Sequence, residues 1–361
     1  MSEKMPDKTT DTYLDTNLSV IISSPAGSGK TEKLARRFIS LIESGTDIHR
    51  IVCITFTEKA AAEMKQRILS ILEREQPETL ESMREHIPLM RISTIHAFCL
   101  KILKRFSIEL GMDPSLEVMD EQVSEELWME SVYESLMSEP EGDQPFFNAI
   151  RTRGLKGWQT VRRALTEIHL KSPAPELILN NPESISNLEP DAAGMLALYS
   201  ECLTRYRRKK AAQHLLDYND LELLAYKALS LGSQSHNILY SFDEHTDHLL
   251  VDEFQDTNSL QWMIIDKLTE EWRSGLGAKR SGGVRPTIFL VGDEKQSIYL
   301  FRGANVSVFR EAGDKLTRWM GEDCSFLEVK DLQLLFVLVI LPCFDSAFAS
   351  CSASASILFL S

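Results

Sequence analysis

The chain has 361 residues, of which 25% are charged and 43% hydrophobic, and a formal net charge of −14. That is room for two domains and a sizeable core, and the acidic balance argues against a partner held by bulk electrostatics, although a local groove can still be basic for nucleic acid. Cys53, Cys99, Cys202, Cys324, Cys343 and Cys351 form no CxxC pair, the N-terminus is polar, and no apolar run reaches the ~18 residues of a membrane span, so zinc sites, disulfide frameworks and membrane partners are not expected and a reducing cytoplasm fits.

Residues 18–23 (LSVIIS) are a β-branched apolar run and predict a buried strand. The next stretch, SSPAGSGKT, is a small-residue loop. Leu34, Phe38, Leu41 and Ile42 then recur at helical spacing, with Gly45 placed to end that helix. In such a loop Gly27 and Gly29 permit positive φ, so successive backbone N–H groups can converge on phosphate oxygens. Ser24, Pro25, Ala26, Gly27, Ser28, Gly29, Lys30 and Thr31 are the candidate phosphate cradle. Lys30 would reach the β- and γ-phosphates, the Thr31 hydroxyl would bind Mg²⁺, and the helix would point its positive end at the same anion. Ser24 stands where the strict pattern has its first glycine.

Residues 51–56 (IVCITF) predict a second buried strand. Thr57 is a candidate N-cap for a helix with Ala60, Ala61, Met64, Ile68 and Ile71 on one face. Strand–helix–strand–helix in this order implies a parallel sheet with right-handed crossovers. From about 111 to 237 the strand-like runs give way to Glu-rich amphipathic segments carrying Trp128, Trp158, Leu165, Leu221, Leu223 and Leu224, and Pro173, Pro175, Pro182 and Pro190 mark a loop-rich middle. A helical insertion is expected there. The basic run RRKK at 207–210 reads as a solvated helix face.

Strand signals resume at 248–251 (HLLV) and 287–291 (TIFLV). Asp252 follows the first and is placed to hold a metal, and Glu253 to activate an attacking water. After the second, Gln296 is a neutral group able to sense a γ-phosphate, and Tyr299, Phe301 and Arg302 would form a platform for stacking bases. From about 327 the chain turns apolar, Cys/Ser-rich and nearly uncharged. Such a composition is expected of a disordered or frame-shifted tail, and no internal repeat is apparent.

Taken in order, SPAGSGKT (24–31), ITFTEKAAAEMKQRI (54–68), ISTIHAFCLKIL (92–103), LLDYNDL (215–221), LLVDEFQDT (249–257) and VGDEKQSIYLFRGA (291–304) resemble the superfamily-1 helicases of the UvrD/Rep/PcrA group, and within it the AddA/RecB-type motors. The resemblance spans roughly 17–312. It implies an α/β fold, a RecA-like P-loop NTPase parallel sheet with a large helical insertion, divided as 1–110 and 241–326 for the motor domain, 111–240 for the insertion and 327–361 for the tail. It implies ATP and Mg²⁺ as cofactors, single-stranded DNA as partner, and a further protein partner of the AddB or RecC kind. By the same resemblance Gln255 would position water or couple to the DNA site, Gln296 would contact the γ-phosphate, and Phe56, Thr94, His96, Tyr299, Phe301 and Arg302 would line the DNA track.

Two departures qualify that expectation. No glutamine of the adenine-reading kind stands in 12–17. The N-F/Y-R-S motif and later arginines of a second motor domain, and the AddA-type nuclease domain, are absent from this sequence. Two readings follow: the N-terminal part of an ATP-dependent 3′→5′ DNA helicase of double-strand break repair and recombination, or a nucleotide- and DNA-binding fragment without turnover.

Overall fold

The computed structural model describes residues 12–25, 27–138, 154–170, 190–230, 234–274, 285–293, 306–320 and 324–328. Its centre is a six-stranded parallel sheet in the order β3-β2-β6-β7-β1-β8. The strands are β1 (Ser19–Ser23), β2 (Ile51–Thr55), β3 (Arg91–Thr94), β6 (His248–Val251), β7 (Thr287–Gly292) and β8 (Cys324–Glu328). A second sheet of two very short strands, β4 (Glu117–Val118) and β5 (Leu215–Leu216), lies apart from it.

The apolar runs of β1, β2, β6 and β7 are explained by burial on both faces. Within each, alternate residues serve two different cores. Val20, Ile22, Ile51, Cys53, Leu250, Phe289 and Val291 face one side, where α1 (Lys30–Glu43) and α2 (Glu58–Glu75) add Leu34, Phe38, Met64 and Ile68. Ile21, Val52, Ile54, Leu249, Val251, Ile288 and Leu290 face the other. There they meet α4 (Ile95–Arg105), α8 (Tyr218–Ser230), α9 (Ser235–His245), α10 (Ser259–Leu268) and α12 (Val306–Met320). Helices α3 (Pro77–Met83) and α11 (Glu270–Ser274) are short connectors.

The stretch between α4 and α8 has its own core. Helices α5 (Glu121–Met137), α6 (Gly154–His169) and α7 (Pro190–Ala212) gather Leu127, Trp128, Val132, Leu165, Tyr199, Cys202 and Tyr206 into a third apolar cluster. Trp128 stacks on His169 at 3.8 Å between ring centroids.

The expected helix signals are present. The Thr57 hydroxyl accepts a hydrogen bond from Ala60 N at 3.0 Å, and Gly45 follows α1 with a left-handed φ of 95°. Other expectations need correction. Strand structure does occur in 111–237, as β4 and β5, each two residues long and so too short to show a period in the sequence. The RRKK run is not one solvated face. Arg207 and Arg208 are exposed, but Lys209 pairs with Glu130 and Glu134, and Lys210 is buried against Asp217 and Asp220. Two carboxylates of the LLDYNDL segment draw that lysine inward. At the chain's end, β8 takes in Leu327 and Glu328, paired with Ile22 and Ser23 of β1, while the rest of the expected tail lies outside the described residues.

Candidate functional site

The phosphate-loop residues lie between the carboxyl end of β1 and the first turn of α1, the end of an open parallel sheet where ligands bind in such folds. Gly27 (φ 73°) and Gly29 (φ 77°) both hold left-handed backbone, which any side chain would strain. Ser24 N donates to Gly292 O at 2.9 Å and ties the loop to β7. The Ser24 and Ser28 hydroxyls are hydrogen-bonded to each other, and Ser28 Oγ also donates to Pro25 O at 2.5 Å. Ser24, in place of the usual glycine, thus adds a hydrogen bond inside the loop. Ala26 lies outside the described residues, and Thr31 is the second residue of α1.

The acidic pair reaches the same place from far along the chain. Asp252 N donates to Ile54 O at 2.9 Å, extending the β6–β2 pairing by one residue. The chain then turns sharply: Glu253 has φ 50°, and its N–H donates to Asp252 Oδ1 at 3.0 Å. That turn puts Glu253 Oε2 3.2 Å from Lys30 Nζ. Gln255 Nε2 donates to the same oxygen at 2.6 Å, while Gln255 Oε1 accepts from Asp293 N at 2.9 Å. One glutamine thereby joins the acid turn to the segment that follows β7.

Burial, and then the neighbouring Glu253, push the Asp252 carboxyl up to about 6, against the pull of Lys30. Asp256 is raised to about 6 for the same reasons, and its buried Oδ1 has no hydrogen-bond partner among the described residues. Crowded carboxylates of this kind suit a cation, which reverses the cost of their charge. Among the described residues no cluster of three or more His, Cys, Asp or Glu side chains could hold a metal by itself. The Thr31 hydroxyl and the Asp252 carboxyl are oxygen donors of the kind that Mg²⁺ takes alongside phosphate oxygens.

Phe56, Thr94 and His96 stand together at the carboxyl ends of the adjacent strands β2 and β3. Thr94 Oγ1 accepts from Ala97 N at 3.2 Å, capping α4, and donates to Glu58 Oε1 at 2.9 Å. His96 Nε2 is 2.9 Å from Glu222 Oε1, and its ring lies 4.3 Å from that of Tyr218. Glu222 is only 4% exposed and also accepts from Asn258 Nδ2 at 3.0 Å and Gln261 Nε2 at 2.6 Å. Sequence reasoning did not single out Glu222, Asn258 or Gln261. The N-x-x-Q spacing of the last two is a capping-box signal, and the box is formed at the start of α10. Gln296, Tyr299, Phe301 and Arg302 lie outside the described residues.

Residues 6–317 match the family model described as the UvrD/REP helicase N-terminal domain. The chain is similar to a "Probable DNA helicase II homolog" of Mycoplasma capricolum, 31% identical over 296 residues that cover 82% of this chain and 35% of that protein. It is similar to a component of the ATP-dependent helicase/nuclease of Latilactobacillus sakei, 24% identical across 81% of this chain and 48% of the relative. An "ATP-dependent DNA helicase UvrD1" of Mycobacterium leprae is 28% identical across 80% of this chain and 33% of its own length. The chain thus spans between a third and a half of these relatives.

Proposed function

The chain belongs to the UvrD/REP helicase N-terminal domain family, and on that premise we propose that it is the ATP-binding motor part of a DNA helicase that moves 3′→5′ along single-stranded DNA in double-strand break repair and recombination. The observation that carries this reading is the 3.2 Å approach of Lys30 to Glu253, which joins a glycine-lined anion loop to an acid turn more than two hundred positions downstream. The names of the relatives, an ATP-dependent DNA helicase and a helicase/nuclease component, support the direction of the assignment.

In this reading Lys30 and the N–H groups of Gly27, Gly29, Lys30 and Thr31 hold the phosphates of ATP, and Thr31 and Asp252 hold Mg²⁺. The metal, when bound, neutralises charge that develops on the phosphate oxygens. Glu253 accepts the proton of the attacking water and Gln255 fixes its orientation; Gln296 reads the γ-phosphate. Phe56, Thr94, His96, Tyr299, Phe301 and Arg302 form the track for the strand, largely independent of base sequence. An AddB-like or RecC-like protein is the proposed partner.

The test is Lys30→Ala with affinity for a fluorescent ATP analogue and Mg²⁺ as readout. Removing a buried cation that faces phosphate is expected to weaken binding at least about tenfold. Glu253→Gln is expected to keep the nucleotide and lose hydrolysis by about 10²–10⁴. Unchanged affinity in the lysine variant overturns the assignment. A second reading, favoured by the 33–48% of each relative that is covered, concerns the polypeptide by itself: it binds nucleotide and strand but does not separate a duplex. ATP-driven unwinding by the purified chain would defeat that second reading and leave the first intact.

A further inference from the structure

At the opposite end of the sheet from the phosphate loop, where β2, β3 and β6 begin, lies an open cavity of about 240 Å³. Its floor is apolar, made by Phe98, Ile102, Phe106, Ile238 and Phe242, and its rim is basic: Arg91, Lys101 and Arg105 with His49 and His245. This is unexpected in a chain of net charge −14, and among the described residues no carboxylate lines the cavity.

The cations there are not neutralised within the described residues. Arg91, the first residue of β3, donates from one nitrogen to His49 O (3.3 Å), His245 O (2.9 Å) and Thr246 Oγ1 (2.9 Å), all neutral acceptors. No ion pair of Arg91, Lys101 or Arg105 exists among the described residues. Of the carboxylates near His245 in sequence, Asp247 is paired with Arg50 and Asp243 accepts from Trp272 Nε1 at 2.7 Å, whereas Glu244 stands 3.8 Å from His245 Nδ1, beside the rim itself. Arg105 instead lies over the Phe106 ring at 5.6 Å. Burial, and then the like charge of Arg105, lower the Arg91 guanidinium to about 10, so an anion delivered to this rim relieves a repulsion already present.

Size and ring exposure decide what kind of anion. About 240 Å³ falls short of the roughly 300–1,000 Å³ typical of small-molecule pockets, but it accommodates a single anchor side chain. Phe98 and Phe242 are 5% and 7% exposed and pack edge to face at 6.0 Å, and the half-buried Phe106 ring already carries Arg105 over it at 5.6 Å, so the floor offers ring edges rather than an open face on which a nucleic-acid base could stack. A basic rim around an apolar hole suits carboxylates flanking an aromatic or aliphatic residue. We propose that this cavity docks an acidic segment of a partner protein, with one apolar side chain inserted against Phe98, Phe106 and Phe242 and its neighbouring carboxylates held by Arg91, Lys101 and Arg105. The inference stands independently of the nucleotide site, which lies at the other end of the strands.

The test uses the whole chain and a fluorescein-labelled Glu-Asp-Phe-Glu-Asp peptide, read by anisotropy at low and moderate salt. Saturable binding is expected, weakened at least about tenfold by the double variant Lys101→Glu/Arg105→Glu, whose side chains are exposed and whose ATP affinity serves as the check on folding. Replacing the peptide's phenylalanine with serine is expected to cost a comparable factor. Three results overturn the proposal: no saturable binding, binding indifferent to the double variant, or equal binding of the serine peptide, which would mean charge attraction alone. If labelled oligo-dT binds and loses affinity in the double variant while the peptide does not bind, the surface is a nucleic-acid site and the proposal is wrong.

Discussion

Gly292 shows at the level of one residue how tightly the acid turn is packed. A Cβ built on it would lie 2.5 Å from Phe309 Cε2 and 2.9 Å from Gln255 Oε1. Phe309 is a fully buried side chain, so the ring cannot swing away, and Gln255 is the group that spans Glu253 and Asp293. Gly292→Ala is therefore expected to cost about 1–3 kcal/mol by overpacking and to slow ATP hydrolysis by shifting Gln255. Urea midpoints and steady-state hydrolysis check both. A variant with the parent's midpoint and rate would show that this contact carries nothing. The sequence announces Lys30, Thr31, Asp252 and Glu253 because each sits in a local pattern of a few residues. It is silent on Gly292, whose constraint comes from a helix that begins at Val306 and a glutamine 37 positions earlier.

Among elements, the helices and buried strands were the legible part. β1, β2, β6 and β7 carry unbroken apolar runs because two cores share each of them, and the boundaries read from the sequence differ from the structure by a residue or so. β3 escaped notice because RIST is short and sits at the sheet edge, half-buried rather than apolar. What no periodicity reveals is how α4, α8 and α10 are bound together through Glu222. His96, Asn258 and Gln261 approach this one carboxylate from 126, 36 and 39 residues away in sequence. Glu222→Ala leaves three partners without their acceptor, of which Gln261 is buried, and at about 1–3 kcal/mol for that unmet group the loss is enough to loosen α10. Glu222→Gln keeps one carbonyl and is expected to retain most of the stability. If His96 contacts the strand as proposed, alanine also weakens oligo-dT binding while ATP affinity at Lys30 changes little. Equal thermal midpoints for the alanine and parent proteins would contradict the buried-network account.

For the molecule as a whole, separate cores imply separate responses to acid. His169 lies in the cluster formed by α5, α6 and α7, stacked on Trp128 and near Tyr199 and Tyr206. Burial lowers it to about 4, with Asp217 pulling upward and Lys210 pushing down. A base whose folded value lies below its unfolded one binds its proton first in the unfolded chain. Stability of this core is thus retained above pH 6.5 and lost progressively as pH falls from 6.5 to about 4, by at most about 3 kcal/mol. Asp217 does not share that window: burial alone would raise it, but the charge and hydrogen bond of Lys210 hold it below the usual carboxylate value. On the sheet, Asp252 and Asp256 act in the opposite sense. Their folded values of about 6 mean that acid removes a cost between pH 6 and 4 rather than adding one. Near pH 5 the helical cluster should therefore melt before the sheet, in two transitions where pH 7.5 shows them closer together. The fluorescence of a variant that keeps Trp128 as its single tryptophan reports the first, and far-ultraviolet dichroism the sum. His169→Phe, which keeps a ring against Trp128 and cannot titrate, is expected to bring the transitions back together at pH 5. If the variant still splits there as the parent does, the acid response does not originate at this histidine.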